Sequence, residues 1–383
     1  MTELRAVEFG PLEAAGAHGL ATPLLLLHGI GAGASAWVPA ARTLATRRRV
    51  LVPDLLGFGS SPWPEVSYGV HDHLSAILNL LERRGLAAGP LDVAGHSMGA
   101  ILAAELAVRL GHRARRIALV SLPYFRSEVE AKQAIGTLGV LARLTVLDHW
   151  AAGTVCAAMC ALRPQLRWLA PHFARHVPAD VARDTVMHNY ASYSRSLREV
   201  IVRHRLEPAL ERLADRDILL IHGDADRSAP IEHIRPLTAR FPHWRLETVP
   251  GADHALPIVR AGTVARLLEI FLAPGSPPAG GEPGNSREER RCPANALLPG
   301  YPVDRAPRRT CWKSHTASST STTSTRIVMS AQYAIMPPIT HPIMPPIPPV
   351  PSIIASLLPT QSDNPSLVSA RVLTNSKPSQ RSS

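Results

Sequence analysis

Short apolar runs alternate with longer amphipathic stretches through the first ~274 residues. Each run is bounded by Gly, Pro or Asp, which is typical of a strand buried on both faces. The six strand candidates are Pro23–His28, Arg49–Asp54, Leu91–Gly95, Arg116–Ser121, Ile218–Gly223 and Arg245–Val249. Between them, apolar residues recur at i, i+3 and i+4 in Val70–Leu81, Ala100–Leu110 and Val264–Leu272, which predicts helices. This alternation predicts an α/β fold with a mostly parallel sheet flanked by helices.

Residues 123–208 break the alternation. They show helical periodicity, for example over Val181–Val202, and contain no convincing strand pattern. We therefore predict an all-helical cap at 123–208, inserted into a core formed by residues 1–122 and 209–274. Such a cap would lie over the carboxyl ends of the strands, where α/β folds bind their ligands.

The last part of the chain has a different composition. Residues 275–383 hold 18 of the 36 prolines, a Ser/Thr-rich run at 316–325, and the repeated sequence Ile-Met-Pro-Pro-Ile at 335–339 and 343–347. Such a segment cannot bury enough surface to offset its ordering entropy, so we expect a disordered tail. A Pro-rich docking tail is the alternative interpretation.

The charge of the chain does not indicate a nucleic-acid partner. The formal net charge is +11, and the tail holds 11 Lys and Arg against 5 Asp and Glu, so much of the excess lies there. Elsewhere the basic residues form no stripe with interleaved aromatic residues.

No uninterrupted apolar run reaches 18 residues, and Met1–Arg5 does not resemble a secretory signal, so we expect a cytoplasmic protein without a membrane span. The four cysteines are too scattered for a disulfide framework, although Cys156 and Cys160 would share one helix face.

The candidate nucleophile is Ser97, in the sequence Gly95-His96-Ser97-Met98-Gly99. A buried strand precedes this sequence and an apolar helix follows it, as expected of a nucleophile elbow. The flanking glycines are needed because a Cβ at either position would clash in so sharp a turn. The turn would place the Ser97 hydroxyl at a helix N-terminus, where backbone N–H groups favour developing negative charge.

A second loop follows the first predicted strand, at His28-Gly29-Ile30-Gly31. Small residues here would let a backbone N–H group approach a substrate, so the N–H groups of Ile30 and Met98 are the candidate oxyanion hole. His28 precedes a glycine turn at a strand end, which favours a structural histidine bonded to loop backbone over a general base.

The same loop supports a competing hypothesis. Gly29-x-Gly31-x-x-Ala34 resembles a dinucleotide-binding fingerprint, and Asp54, 23 residues after Gly31, ends the next strand, where a ribose-binding acid would lie. Against this, the chain lacks Tyr-x-x-x-Lys, since Lys132 is the only lysine before the tail. The hypothesis also gives Ser97 no role.

A serine nucleophile needs a base, and the base needs an acid to orient it. His254 is the candidate base because it follows the last predicted strand, and Asp226 is the candidate acid in the loop after Ile218–Gly223. The order Ser, Asp, His is the one expected of α/β hydrolases. Asp224 at the strand tip and Asp253 beside the base remain alternative acids.

Other histidine pairs have weak metal-like spacing, without a carboxylate pattern to complete a site. These are His71 and His73, and His172 and His176. We expect them to be solvated helix positions and predict no metal site.

Taken together, the first ~274 residues resemble the α/β-hydrolase superfamily, and in particular its capped serine hydrolases. The matching stretches are His28–Gly31, Asp54-Leu-Leu-Gly57-Phe58-Gly59-Ser60-Ser61, Gly95–Gly99, Gly223-Asp-Ala-Asp226 and His254. The resemblance implies a triad of Ser97, Asp226 and His254, an oxyanion hole from Ile30 and Met98, and no cofactor. It does not cover the tail.

Departures from the family pattern narrow the activity. The nucleophile is Ser, unlike the Asp of the haloalkane dehalogenases and epoxide hydrolases. The carbon–carbon hydrolases of aromatic breakdown often carry Trp after the catalytic His, where this chain has Ala255. We therefore predict hydrolysis of a carboxylic ester or related acyl bond of a small to medium apolar substrate. Carbon–carbon hydrolysis, acyl transfer, perhydrolysis and a non-catalytic ligand receptor remain alternatives.

Overall fold

A seven-stranded, mostly parallel sheet organises the fold. The computed structural model describes residues 3–10, 21–136, 150–174 and 177–273. The strands are β1 (Ala6–Phe9), β2 (Ala21–Leu27), β3 (Arg48–Pro53), β4 (Leu91–His96), β5 (Ala114–Val120), β6 (Ile218–Gly223) and β7 (Trp244–Val249). Their order is β1-β3-β2-β4-β5-β6-β7, and only β1 pairs antiparallel, with β3. The chain changes direction across the sheet beside β2, where β3 lies on one side and β4 on the other. Open α/β sheets bind ligands at such a point.

The apolar runs lie in the sheet because both faces of the sheet are covered. Along β2, Leu24 and Leu26 belong to one apolar cluster, and Leu25 and Leu27 belong to the cluster on the opposite face. All four leucines are fully buried. Burial of one leucine side chain stabilises a fold by about 1.5–3 kcal/mol. Because both faces of the sheet are covered, a shift of β2 by one residue against its neighbours would keep these leucines buried, and the packing of the helices opposes such a shift instead.

Helices cover both faces. Apart from those between β5 and β6, the helices that connect successive strands are Val38–Leu44, Val70–Arg83, Met98–Leu110 and Arg235–Arg240, and Leu256–Val259 and Ala261–Leu272 follow β7. Short 3₁₀ helices lie at Ala34–Trp37, Gly111–Arg113 and Ile231–His233. Val70–Arg83 and Met98–Leu110 bury their apolar faces in one cluster, and Val38–Leu44 and Ala261–Leu272 bury theirs in the other.

The predicted α/β fold and all six predicted strands are confirmed, with boundaries that differ by one or two residues. The sequence pattern missed β1. Its four residues are only partly buried and Val7 is exposed, so no continuous apolar run marks this antiparallel edge strand.

Helices follow β5, as the pattern over 123–208 predicts. They are Glu128–Gly136, Trp150–Ala161, Arg163–Phe173, Ala179–Asp184, Tyr190–Ser196 and Glu207–Arg212, with a π-helical turn at Leu197–Val202. The described parts of 121–217 contain no strand of the sheet, although Phe58 and His188 form an isolated antiparallel bridge. The periodicity over Val181–Val202 is not one helix, because non-helical residues from 185 to 189 interrupt it. The division into core and cap stays a prediction.

Several predictions fall on residues that the structure does not describe: the tail at 275–383, with Cys292 and Cys311, and His176. Cys156 and Cys160 lie in one helix, Trp150–Ala161, as predicted. Within the described ranges, no helix combines the length and the apolar character needed to cross a bilayer.

Candidate active site

The turn after β4 holds Ser97 in a conformation that its neighbours make possible. Ser97 has φ 55° and ψ −123°, a positive φ that L-residues rarely adopt. A Cβ on Gly95 would lie 2.0 Å from the Gly99 carbonyl oxygen, and one on Gly99 would lie 2.4 Å from the Leu27 carbonyl oxygen. The glycines are therefore required by close backbone approach, as the sequence predicts. The helix Met98–Leu110 begins at the next residue.

Three side chains from three loops form one hydrogen-bonded chain. Ser97 Oγ lies 2.8 Å from His254 Nε2, and His254 Nδ1 lies 2.8 Å from Asp226 Oδ2. All three residues are buried. Since a carboxylate can only accept, His254 donates its Nδ1–H to Asp226, and this leaves Nε2 to accept the Ser97 hydroxyl proton. The structure thus brings together the predicted nucleophile, base and acid.

Asp226 is held as an ionised acceptor. Its Oδ1 accepts the backbone N–H groups of Ser228 and Ala229, each at 2.9 Å. Burial raises the pKa of Asp226, but the neighbouring His254 ring and these hydrogen bonds more than offset burial, so the pKa lies below its usual value.

The two alternative acids lie elsewhere. Asp224 is exposed and accepts the backbone N–H of Gly251 at 2.6 Å, which shapes the turn. Asp253 accepts the N–H of Ala255 at 3.1 Å. Among the three candidate acids, only Asp226 has a recorded contact with the His254 ring.

The loop after β2 packs directly against the nucleophile turn. A Cβ on Gly29 would lie 3.1 Å from Ser97 Cβ, a tight contact that the nucleophile turn would have to yield by a few tenths of an ångström to admit. Ile30 follows at once and is partly buried, whereas Met98 is fully buried at the start of its helix. The two predicted oxyanion donors therefore flank Ser97 on neighbouring loops. Their oxyanion role stays a prediction.

His28 has a structural position, as the sequence analysis favours. Its Nδ1 donates to the Gly29 carbonyl at 2.8 Å, and its Nε2 accepts the Leu55 N–H at 2.9 Å. Asp54, the candidate ribose-binding acid of the dinucleotide hypothesis, is already engaged. Its two carboxylate oxygens accept the backbone N–H groups of Ala34 and Ser60, at 2.7 and 2.8 Å.

One histidine prediction is wrong. His73 is not solvated: it is fully buried, stacks on Phe58 and bonds the Ser196 hydroxyl at 3.1 Å. Burial, and after it the nearby His28 ring, lower the pKa of His73 to about 4. The helix period would have shown this, since position 73 lies one turn before the buried Ile77. His71 and His172 are exposed, as predicted. No group of three potential ligands suited to a metal ion occurs in the described part of the chain.

Sequence reasoning missed three other residues around the site. His96 and His222 are buried beside the triad, and their only signal is their place before Ser97 and Gly223 at strand ends. Asp184, in the helix Ala179–Asp184, accepts the Ser35 hydroxyl at 2.5 Å. The two residues are 149 positions apart, so no local pattern could reveal their contact.

This constellation on a seven-stranded α/β sheet defines a hydrolase-type fold, and comparison with known proteins agrees. Residues 24–267 match the model of the alpha/beta hydrolase family. The chain belongs to the alpha/beta hydrolase family.

Curated relatives are named for different activities. The 2-hydroxy-6-oxo-2,4-heptadienoate hydrolase of Pseudomonas putida is 28% identical over 270 residues, which cover 67% of this chain and 90% of the relative. The probable lysophospholipase BODYGUARD 5 of Arabidopsis thaliana is 26% identical over 280 residues, 65% of this chain and 61% of the relative. Among solved structures, the enol-lactonase of Burkholderia xenovorans superposes with a TM-score of 0.54 at 23% identity, over 71% of this chain and 96% of its own. That structural likeness concerns the fold.

Proposed function

We propose that this protein is a serine hydrolase that cleaves a carboxylic ester or related acyl bond through an acyl-enzyme on Ser97. The observation that carries the proposal is the continuous hydrogen-bonded chain from Ser97 Oγ through His254 to Asp226, with 2.8 Å at each contact. These distances fall within the reach needed for proton transfer from a nucleophile to its base.

The hydrogen-bonded chain supports a distinct role for each of the three side chains. His254 Nε2 takes the Ser97 proton as Ser97 Oγ attacks the carbonyl carbon, and Asp226 stabilises the imidazolium that results. The N–H groups of Ile30 and Met98 would bind the oxyanion. His254 then gives its proton to the leaving alcohol, which departs and leaves the acyl group on Ser97. A water molecule gives a proton to His254 and attacks the acyl carbon. The bond from the acyl carbon to Ser97 Oγ then breaks, His254 returns the proton to Ser97 Oγ, and the acid is released.

An apolar substrate is supported by the residues next to the oxyanion loop. Ile30 and Tyr193 are partly buried and pack on the apolar cluster that includes Phe58. A Cβ on Gly31 would lie 3.2 Å from the Tyr193 ring, so this ring covers the loop that carries Ile30. An acyl or alkyl group bound here would contact carbon surface rather than charged groups.

Carbon–carbon hydrolysis is the second candidate. It is favoured by the similarity to the heptadienoate hydrolase, of whose length this chain covers 90%. The same Ser, His and Asp would serve, but the leaving group would be a carbon atom that His254 must protonate. Ala255, which is buried directly beside the base, differs from the Trp common in such enzymes.

The test uses the wild type and a Ser97→Ala variant. Both are incubated with a fluorophosphonate probe, and kcat/KM is measured for p-nitrophenyl esters of increasing chain length and for 2-hydroxy-6-oxo-2,4-heptadienoate. We expect labelling and ester hydrolysis by the wild type only. A preference for the dienoate would favour carbon–carbon hydrolysis. Equal labelling of both proteins would show that Ser97 is not the nucleophile, and an unlabelled, inactive wild type would favour a ligand receptor.

A further inference from the structure

Three buried histidines stand at the ends of three parallel strands, each next to a loop of the proposed site. His28 follows the last residue of β2, His96 ends β4, and His222 is the penultimate residue of β6. The mechanism proposed above uses none of them. We propose that His96 is a positioning residue for His254, and that His28 and His222 brace the oxyanion and acid loops in the same way, by donating a ring N–H to a loop carbonyl. This inference rests on the proposed function, because it assigns the braces to that triad.

His96 connects the nucleophile turn to the loop of the base. Its Nε2 donates to the backbone carbonyl of His254 at 2.7 Å, and the two rings lie 5.1 Å apart. Ser97, the next residue, contacts the side chain of the same histidine. Two consecutive residues thus hold His254 at two points, one on its backbone and one on its ring. Loss of the backbone contact would let the base loop move relative to the nucleophile.

The other two histidines show the same arrangement. His28 donates to the Gly29 carbonyl and accepts the Leu55 N–H, so the loop that carries Ile30 is tied to the loop after β3. His222 Nε2 donates to the Ala229 carbonyl at 2.6 Å, while the N–H of the same Ala229 binds Asp226. Each histidine therefore binds a residue next to, or in contact with, a member of the site: Gly29 precedes Ile30, and Ala229 binds Asp226.

The braces work only as neutral rings. A positive charge on His96 would oppose the imidazolium that His254 becomes during the reaction, and a positive His222 would compete for Asp226, whose Oδ2 lies 3.6 Å from its Nε2. Burial keeps all three rings neutral. It lowers the pKa values of His28 and His222, and together with the adjacent His254 it lowers that of His96 to about 3.

The experiment compares His96→Phe, His96→Gln and the control His73→Phe in the full chain. Phe fills the volume of the ring but leaves the His254 carbonyl without its donor, whereas the Gln amide can place an N–H near the position of Nε2. His73 is as deeply buried as His96, yet its hydrogen bond goes to Ser196 and not to a residue of the triad. The measurements are kcat and KM for p-nitrophenyl butyrate, the rate constant of fluorophosphonate labelling, and the thermal midpoint of unfolding.

We expect His96→Phe to lower kcat and the labelling rate about 10- to 100-fold with KM changed less than about threefold, since a buried acceptor loses its partner. His96→Gln should recover most of the loss. His73→Phe should lower the thermal midpoint but keep kcat within about twofold.

Two results would overturn the inference alone: a labelled wild type with His96→Phe within about twofold of its kcat, or a His96→Gln variant no better than His96→Phe. A wild type that the probe does not label would instead overturn the proposed function, and the positioning role with it. The labelling of the wild type therefore separates the two failures.

Discussion

The carboxyl edge of the sheet and the helical segment between β5 and β6 differ in what holds them in place. At the sheet edge, the loops of the nucleophile and the acid follow the fully buried strands β4 and β6, and the loop of the base follows the partly exposed β7. Buried hydrogen bonds tie these loops to one another. The helical segment reaches the sheet edge through separate contacts, such as Asp184 to Ser35, Ser196 to His73, and the bridge of His188 to Phe58. From this comparison we expect the chemistry to depend on the sheet edge and the helices to adjust how a substrate meets it.

The largest effect should come from the nucleophile itself. We expect Ser97→Ala to lower kcat by a factor on the order of 10⁶, since triad members act as a unit. His254→Ala should cost a similar factor, and the double variant should be no worse than either single one. Steady-state ester hydrolysis with active-site titration measures this. Additive losses in the double variant would show that the two side chains act independently.

The second largest effect should come from the acid. Asp226→Asn keeps the size of the side chain but can turn the His254 ring into the wrong tautomer, so we expect kcat to fall by about 10⁴. Asp224→Asn is the matched control in the same loop, where the side chain only binds the Gly251 N–H at an exposed turn. That control should stay within about threefold of the wild type. A larger loss for Asp224→Asn than for Asp226→Asn would contradict the assignment.

These two predictions concern residues that the sequence alone identifies, and the reason is physical. β2, β4 and β6 are marked by continuous apolar runs because both of their faces are covered, and parallel strands bring their carboxyl ends to one edge. Ser97 and Asp226 follow two of these runs, and His254 follows the less buried parallel strand β7, so their meeting follows from local patterns plus one topological rule.

What the sequence does not reveal depends on contacts between distant segments. The contact of Ser35 with Asp184 leaves no local pattern, and the edge strand β1 is too short and too exposed to show one. His73 is an intermediate case. Its residue type suggested a solvated position, whereas its place on the helix period, one turn before Ile77, indicates burial. His73 is hydrogen-bonded to Ser196, which lies 123 positions away in the sequence, so no local pattern shows this contact.

The third prediction concerns pH and the buried helix face at His73. Its folded pKa of about 4 lies below the ordinary value of 6.5, so the native state takes up its proton later than the unfolded chain does. The stabilising effect of its neutral state is complete above pH 6.5 and is lost as the pH falls from 6.5 toward 4, by about 3 kcal/mol. Urea unfolding at several pH values should therefore show a shallower slope in His73→Phe, by about 1.4 kcal/mol per pH unit.

The matched control is His71→Phe, on the exposed side of the same helix. Its unfolding free energy should keep the wild-type dependence on pH. If both variants keep that dependence, other groups cause the loss of unfolding free energy at low pH, and His73 on the buried face of Val70–Arg83 does not.

The smallest effect should come from the contact between the two regions. The loop that carries Ile30 runs into the 3₁₀ helix Ala34–Trp37, where Asp54 binds the Ala34 N–H and Asp184 binds the Ser35 hydroxyl. One carboxylate comes from the sheet edge and the other from the helical segment. Burial raises the pKa of Asp184 and the charge of Asp54 raises it further, although its hydrogen bonds to Ser35 oppose the rise. Asp184→Asn keeps an acceptor but removes the charge, so we expect kcat/KM to fall about three- to tenfold.

Asp180→Asn is the control for this contact, because Asp180 lies in the same short helix, is exposed and pairs with Arg183 at 2.8 Å. Its kcat/KM should match the wild type. If Asp184→Asn behaves like this control, the contact of Asp184 with Ser35 does not position the loop that carries Ile30. If only Asp184→Asn loses activity, the helical segment shares in positioning the loop of Ile30, and a movement of that segment would change the rate of the chemical step as well as the entry of the substrate.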